Sequence, residues 1–206
     1  MESKNHWENV YTSKRETEVS WFQEHAHLSL KIISDANIPT SASIIDVGGG
    51  ASTLVDDLLF NGYKRVTVLD LSEAAMIVAK ARVGANDSEV RWLNADILTV
   101  DLPTHSYDVW HDRAVFHFLT TEAQRHVYVQ KVLAAVKPGG LVIVATFAED
   151  GPTICSGLPV MRYSASGLHS EFGESFELLG HEKESHHTPG GNEQKFVYCF
   201  CRKVAS

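Results

Sequence analysis

Three carboxylates stand at telling distances from one glycine turn, and this spacing is the first chemical signal in the chain. The run IIDVGGGAS, residues 44–52, is an apolar strand that empties into Gly48, Gly49 and Gly50 and then into a helix-forming segment, TLVDDLLFNGY. Glycine lacks a Cβ and tolerates positive φ, so such a turn lets the backbone approach a ligand closely. Asp70 ends the next apolar run, 20 residues after Gly50, where a carboxylate can accept both hydroxyls of a ribose lying across the crevice at the strand ends. Asp96 closes a third run, in LNADI, where it can take an exocyclic amine of an adenine while Ile97 covers the ring. Asp46, two residues before the first glycine, is placed to anchor the loop or an amino acid moiety.

A second group of residues belongs where a reacting partner would sit. In an open α/β sheet the ligand crevice lies off the carboxyl ends of the strands, so an acceptor meets the segments after the fourth and fifth strands and the amino-terminal segment. The fourth-strand segment holds His111, Asp112, Arg113 and His117; the fifth-strand segment continues to Cys155 and Tyr163. His111 and His117 are candidate bases, with His186 further along the chain. Arg113, beside Asp112, is expected to form an ion pair that orients the loop, to anchor an anionic group of the acceptor, or both. No metal site is expected: Cys199 and Cys201 alternate on one strand face without ligands at chelate spacing, and His186 and His187 would point to opposite faces. Cys155 is read either as a soft contact for the acceptor or as a filler of a small hole.

These residues need a scaffold, and the pattern of the chain supplies one. Before Ser41 the chain is helical, with Trp7, Val10 and Tyr11 on one face and a second stripe of Leu28, Leu30, Ile32 and Ile33. After it, β-rich runs at 43–47, 65–70, 89–94, 107–111 and 141–147 alternate with helical segments, the rhythm of a parallel sheet. Ser72 opens one helix, and Thr121 with Gln124 has capping-box spacing ahead of another that is expected to stop at Pro138-Gly139-Gly140. Runs at 175–183 and 195–203 flank Thr188-Pro189-Gly190-Gly191-Asn192 and predict an antiparallel hairpin. The expected fold is therefore α/β: a Rossmann-like, seven-stranded mixed sheet whose last strand is antiparallel, flanked by helices and carrying an amino-terminal helical cap. One domain, 1–206, divides into the cap (1–40), a cofactor-binding half (41–147) and an acceptor loop with the carboxyl-terminal hairpin (148–206).

Composition narrows the partners. The chain has 206 residues, 44% of them hydrophobic and 21% charged, which suits a globule able to bury a core without disulfide or metal staples. A net charge of −8 with no basic cluster disfavours nucleic acid. Three cysteines, a polar amino terminus and the lack of a long apolar run point to a reducing compartment, the cytoplasm, with no membrane association. A monomer is expected.

With these residues in place, the sequence resembles the class I S-adenosylmethionine-dependent methyltransferases from about Ile44 to Arg202. Asp46-Val47-Gly48-Gly49-Gly50 is similar to the first motif of that family, Asp70 to its ribose-binding acid, Asn94-Ala95-Asp96-Ile97 to its adenine pocket, and Lys137-Pro138-Gly139-Gly140 to the turn before its fifth strand. Ser52 departs from the further glycine of many members. The resemblance implies S-adenosylmethionine as cofactor, held by Asp46, Gly48, Gly49, Gly50, Asp70, Leu71, Asp96, Ile97, His111 and, from the cap, Trp21. A nicotinamide or flavin enzyme is the rival, but Thr53 stands where that pattern wants Gly or Ala, and Asp46 would repel a pyrophosphate. Arg113, His117 and His111 are the expected catalytic residues. The cap Trp7-Glu8-x-x-Tyr11 with Trp21-Phe22-Gln23, together with Asp112-Arg113-Ala114, is similar to thiopurine and halide/thiol methyltransferases, which implies a small-molecule acceptor such as a thiol. The same cap with Gly50-Ala51-Ser52 also resembles compact protein lysine methyltransferases. A non-catalytic cofactor-binding module is a third reading.

Overall fold

Strand β1 (Ser43–Val47) is buried along its whole length, as a central parallel strand must be when helices cover both faces of its sheet. In the computed structural model, which describes residues 2–205, it follows α1 (Glu2–Ser13) and α2 (His27–Asp35). After it come α3 (Leu54–Phe60), β2 (Arg65–Asp70), α4 (Glu73–Val83), β3 (Val90–Asn94), β4 (Tyr107–Arg113), α5 (Glu122–Ala135) and β5 (Val136–Phe147). The short strands β6 (Ile154–Cys155) and β7 (Leu158–Pro159), helix α6 (Ala165–Phe172), and strands β8 (Phe176–His187) and β9 (Glu193–Lys203) complete the chain. The seven-stranded sheet has the order β3-β2-β1-β4-β5-β9-β8. Neighbours run parallel from β3 to β5, and β9 is antiparallel to both β5 and β8.

The expected mixed sheet and terminal hairpin are present, with the hairpin strands longer than their apolar runs. Strand order reverses between β1 and β4, so a crevice opens at the carboxyl ends of these strands. Ser72 caps α4 by accepting from Ala75 N, and Thr121 and Gln124 form the expected capping box on α5. Helix α5, however, ends at Ala135, and Pro138-Gly139-Gly140 lies within β5 rather than in a turn that stops the helix. Pro138 disfavours the helical region at Lys137, and Val136 before it is already extended at φ −77° and ψ 137°, paired with Tyr107 of β4.

The helices pack two cores onto the sheet. Trp110, Tyr128, Phe116 and Phe172 belong to the one beneath α5 and α6. Ile33, Leu54 and Leu58 belong to the other, beneath α2 and α3. The helical cap is therefore two different things: α2 is part of the core through Ile32 and Ile33, and only α1 with the segment to Gln23 lies over the crevice. Among the described residues no helix is long and apolar enough to cross a membrane.

Candidate active site

A cavity of about 240 Å³ lies at the strand ends, with Val47, Gly48, Asp70, Leu71, Asp96 and Ile97 on its floor. A narrower pocket of about 50 Å³ adjoins it, reaching Asp46, Gly49, Ser29 and His111. Tyr11, Trp21, Gly48 and Arg113 line both. The floor follows from local geometry. Gly48 has φ +71°, and a Cβ there would collide with Val115, so only glycine serves this turn. A Cβ on Gly50 would lie 2.5 Å from Asp70 Oδ2; the bare backbone is what lets that carboxylate sit beside the turn.

The carboxylates have different surroundings. Asp70 accepts from Ser72 N at 2.7 Å. Burial pushes it up to about 7 against that bond, and the nearby charges of Asp46 and Glu8 add to the rise. Asp96 accepts from Leu98 N at 2.9 Å. Asp46 is 2% exposed; its Oδ1 accepts from His111 Nδ1 at 2.7 Å, and its Oδ2 has no partner among the described residues. A buried carboxylate oxygen with free lone pairs calls for a donor, and an ammonium supplies one.

The two histidines proposed as bases lie behind the site. His111 is 2% exposed and held between Asp46 and Ser29, with Nε2 2.8 Å from Ser29 Oγ. It reaches the narrow pocket but not the larger cavity. His117 reaches neither: it is fully buried, its ring 4.5 Å from that of Phe118 and 4.8 Å from that of Phe147. Burial, with Arg113 nearby, drives it down to about 3, so it is a neutral core residue. The 3₁₀ turn at Phe116–Phe118 folds its ring inward. His186 is likewise bound to structure, its Nε2 2.8 Å from the Ser20 carbonyl oxygen.

Arg113 does not pair with Asp112. Strand β4 continues through Arg113, and successive side chains on a strand point to opposite faces. His111 and Arg113 therefore share the face toward α2, while Asp112 faces α5. There Asp112 accepts from Tyr128 Oη at 2.5 Å and from the Val115 and Phe116 amides, and burial raises it to about 6 despite these bonds. The partner of Arg113 is Glu184 on β8, at 2.9 Å. Its Nε donates to Tyr198 Oη, its Nη1 to the Trp21 carbonyl, and its guanidinium carbon sits 4.2 Å from the centre of the Phe196 ring. Glu184 and Tyr198 were not legible as site residues, since they come from the hairpin and carry no motif.

Above the floor, α1 supplies Trp7 and Tyr11. Trp7 packs edge-on against Trp21 at 5.7 Å and Phe118 at 5.2 Å, and Trp21 Nε1 donates to Tyr11 Oη at 3.2 Å. The helix is fastened by Glu8, which accepts from the Glu73 amide at 2.6 Å and the Ala74 amide at 3.1 Å. A carboxylate there meets the unpaired amides of the first turn of α4. Cys155 closes another wall, its thiol pushed up to about 12 by burial. Cys199 and Cys201 are buried free thiols.

Fold and site together define an α/β protein with a crevice at its strand ends, lined by a glycine turn and the acids Asp46, Asp70 and Asp96. Its strand-end acids suit a ribose and an adenine amine, and Asp46 suits an ammonium. Residues 44–140 match the family described as a methyltransferase domain. An uncharacterised methyltransferase of Mycobacterium tuberculosis is 27% identical over 135 residues, 65% of this chain and 64% of that protein, so the match spans just under two thirds of the relative. EEF1A lysine methyltransferase 2 of Danio rerio is 23% identical over 159 residues, 70% of this chain and 68% of that protein. Among solved structures, 1,6-didemethyltoxoflavin-N1-methyltransferase of Burkholderia thailandensis, with 1,6-didemethyltoxoflavin and S-adenosylhomocysteine bound, has a TM-score of 0.69 at 18% identity, over 98% of this chain and 84% of that one. N-methyltransferase NodS of Bradyrhizobium japonicum, with S-adenosylhomocysteine, has a TM-score of 0.73 at 14% identity, over 97% and 98%. At these identities the structures share the fold. Residues 44–140, just under half of the chain, thus match a methyltransferase domain, and the chain shares its fold with these solved structures.

Proposed function

We propose that the protein transfers a methyl group from S-adenosylmethionine to a small, soft nucleophile, a thiol in the first instance. When bound, the cofactor supplies a methyl carbon already activated by its sulfonium, so the chain has to bind, align and desolvate. Asp70 takes the ribose hydroxyls, Asp96 the adenine amine, and Leu71 and Ile97 cover the ring. Asp46 takes the ammonium on its free oxygen, with Gly48 and Gly49 letting the backbone come close. Trp7, Tyr11, Trp21 and Phe118 exclude water from the acceptor side.

One observation carries the choice of acceptor. Among the described residues, the aromatic end of the large cavity offers no imidazole, and the cavity's carboxylates, Asp70 and Asp96, are at its floor. Tyr11 and Cys155 are both driven up by burial and cannot take a proton near neutral pH. The charge of Arg113 is already met by Glu184. An acceptor in such a site must present its own lone pair, which a thiol, ionising near 8.5 in water, does far more readily than a lysine ammonium near 10.4. Release of S-adenosylhomocysteine with a panel of thiols, compared with aromatic amines, carboxylates and lysate protein, tests the reading. Turnover with a thiol that rises with its ionisation is the expected result, and methyl transfer to protein lysine alone would overturn it.

The second reading is protein lysine methylation. It is favoured by the likeness to EEF1A lysine methyltransferases of Danio rerio and of human, the latter 21% identical over 191 residues, 86% of this chain and 75% of that protein. A bare Arg113 would repel a lysine ammonium, and its pairing with Glu184 offsets that charge.

A further inference from the structure

Ser29, His111 and Asp46 form a buried line of hydrogen bonds, of which only the Asp46 end is used above. Ser29 lies on α2 and is 1% exposed; His111 and Asp46 lie on adjacent strands, paired in register, and are each 2% exposed. A carboxylate only accepts, so the proton on Nδ1 of His111 lies toward Asp46 Oδ1 at 2.7 Å. In the neutral imidazole Nε2 is then the bare acceptor, and the Ser29 hydroxyl 2.8 Å away donates to it. The Tyr198 hydroxyl adjoins Ser29 and itself accepts from Arg113 Nε at 3.0 Å. The Tyr198 hydroxyl donates its own proton to Glu184 Oε2 at 3.4 Å, so the donors that reach Asp46 through His111 start at Ser29.

We propose that Ser29 is a positioning residue of the cofactor site: by donating to Nε2 of His111 it fixes the imidazole ring, and through it the Asp46 carboxylate with Oδ2 turned to the α-ammonium of the cofactor. The free Oδ2 is the second, independent sign of a ligand at this end, and the narrow pocket is lined by all three residues. The arrangement has the partners of a hydrolytic Ser-His-Asp triad, but its geometry serves a different end. Ser29 is sealed, and the functional terminus is the carboxylate rather than the hydroxyl. An Asp46 held only by its backbone could rotate both oxygens toward His111 or away from it. With the imidazole fixed from behind, one oxygen is engaged and the other is left for the ligand.

The inference rests on the cavity being the S-adenosylmethionine site, and a pair of ligands separates the two. S-adenosylhomocysteine carries the ammonium; methylthioadenosine has the same adenine, ribose and sulfur without the amino acid tail. Binding of each by calorimetry is compared in wild type and Ser29→Ala. The variant should lose about fivefold in affinity for S-adenosylhomocysteine, the scale of one hydrogen bond, and keep its affinity for methylthioadenosine. In the same variant, ¹⁵N imidazole shifts of His111 should keep the Nδ1-protonated pattern that Asp46 sets, while the Nε2 resonance moves on losing its hydroxyl donor. Should Ser29→Ala prove unstable, Ser29→Cys, close in size and a weak donor, is read by the same ligand ratio. Equal losses for both ligands, or no loss for either, would overturn the role of Ser29 while leaving the cofactor site intact. If wild type bound neither ligand, the site reading itself would fall.

Discussion

Replacing Glu184 by alanine isolates the interaction that joins β8 to the roof of the crevice. In the native chain Glu184 meets Arg113 at 2.9 Å, with side chains only 14% and 10% exposed, and its other oxygen accepts from Gln23 Nε2 at 2.8 Å. Removing it leaves a guanidinium in a nearly dry site, still bonded to Tyr198 and to the Trp21 carbonyl but without a counter-charge. Stranding one member of a buried pair costs about 3–5 kcal/mol, and the residual exposure here puts the expected loss near the lower end. For a chain of this length each kcal/mol moves the melting temperature by about 2–4 °C, so Glu184→Ala should melt roughly 6–12 °C lower. Arg113→Met with Glu184→Leu removes both charges and should recover most of that loss, because the ion pair itself contributes little once its desolvation is counted. Calorimetric melting of Arg113→Met, Glu184→Leu and the double variant gives the coupling energy directly. A parallel cycle of Arg113→Met with Asp112→Asn should show almost none, since these side chains face opposite sides of the sheet. A Glu184→Ala melting point within about 2 °C of wild type, or strong coupling between Arg113 and Asp112, would refute this account of the site.

Other perturbations address the floor, the roof and the core. Asp70 titrates near 7 in the folded chain, so if its anion receives the ribose, S-adenosylhomocysteine affinity at pH 6 should be about tenfold below its value well above pH 7; Asp70→Asn should flatten that profile, and an unchanged profile would sink the assignment. The same raised value makes Asp70 stabilise the ligand-free fold most fully below its unfolded pKa near 3.8, a contribution lost as pH rises through about 7, so Asp70→Asn should remove that part of the pH dependence of unfolding. Glu8→Ala strips the cap from the first turn of α4 and should weaken S-adenosylhomocysteine binding and speed protease cleavage within residues 2–13, with ligand slowing the cleavage; equal cleavage in wild type and variant would show that Glu8 does not hold the helix. His117, held near 3, contributes stability that is complete above its unfolded value near 6.5 and is lost as pH falls through 3. His117→Phe should flatten that acid limb in urea unfolding and leave the dissociation constant of S-adenosylhomocysteine alone, and a lost affinity would return the residue to the site.

The readable part of this protein is what local chemistry dictates. A glycine turn after an apolar strand, acids closing the strands beside it, and capping residues at Ser72 and Thr121 all act over a few positions, and their consequences are written in the neighbouring sequence. Helix α5 ends earlier than the glycines suggest because Val136 already pairs with Tyr107 of β4, a partner that local sequence does not show. The partners of the polar side chains are a different matter. Adjacent letters, Asp112 and Arg113, suggested a pair, yet the twofold alternation of a strand sends them to opposite faces, and once β4 extends to Arg113 the pairing is excluded. The acid that does meet Arg113 lies 71 residues away on β8, the hydroxyl that meets His111 lies 82 residues away on α2, and the carboxylate that fastens α4 comes from α1, 65 residues before it. None of these residues carries a motif, because each is chosen by what the sheet order brings alongside it. Locating the end of β4 correctly is thus the single step that would have reassigned both Arg113 and His111 from sequence, and it turns on whether His111-Asp112-Arg113 is a loop of charged residues or a strand with one polar face turned toward α2.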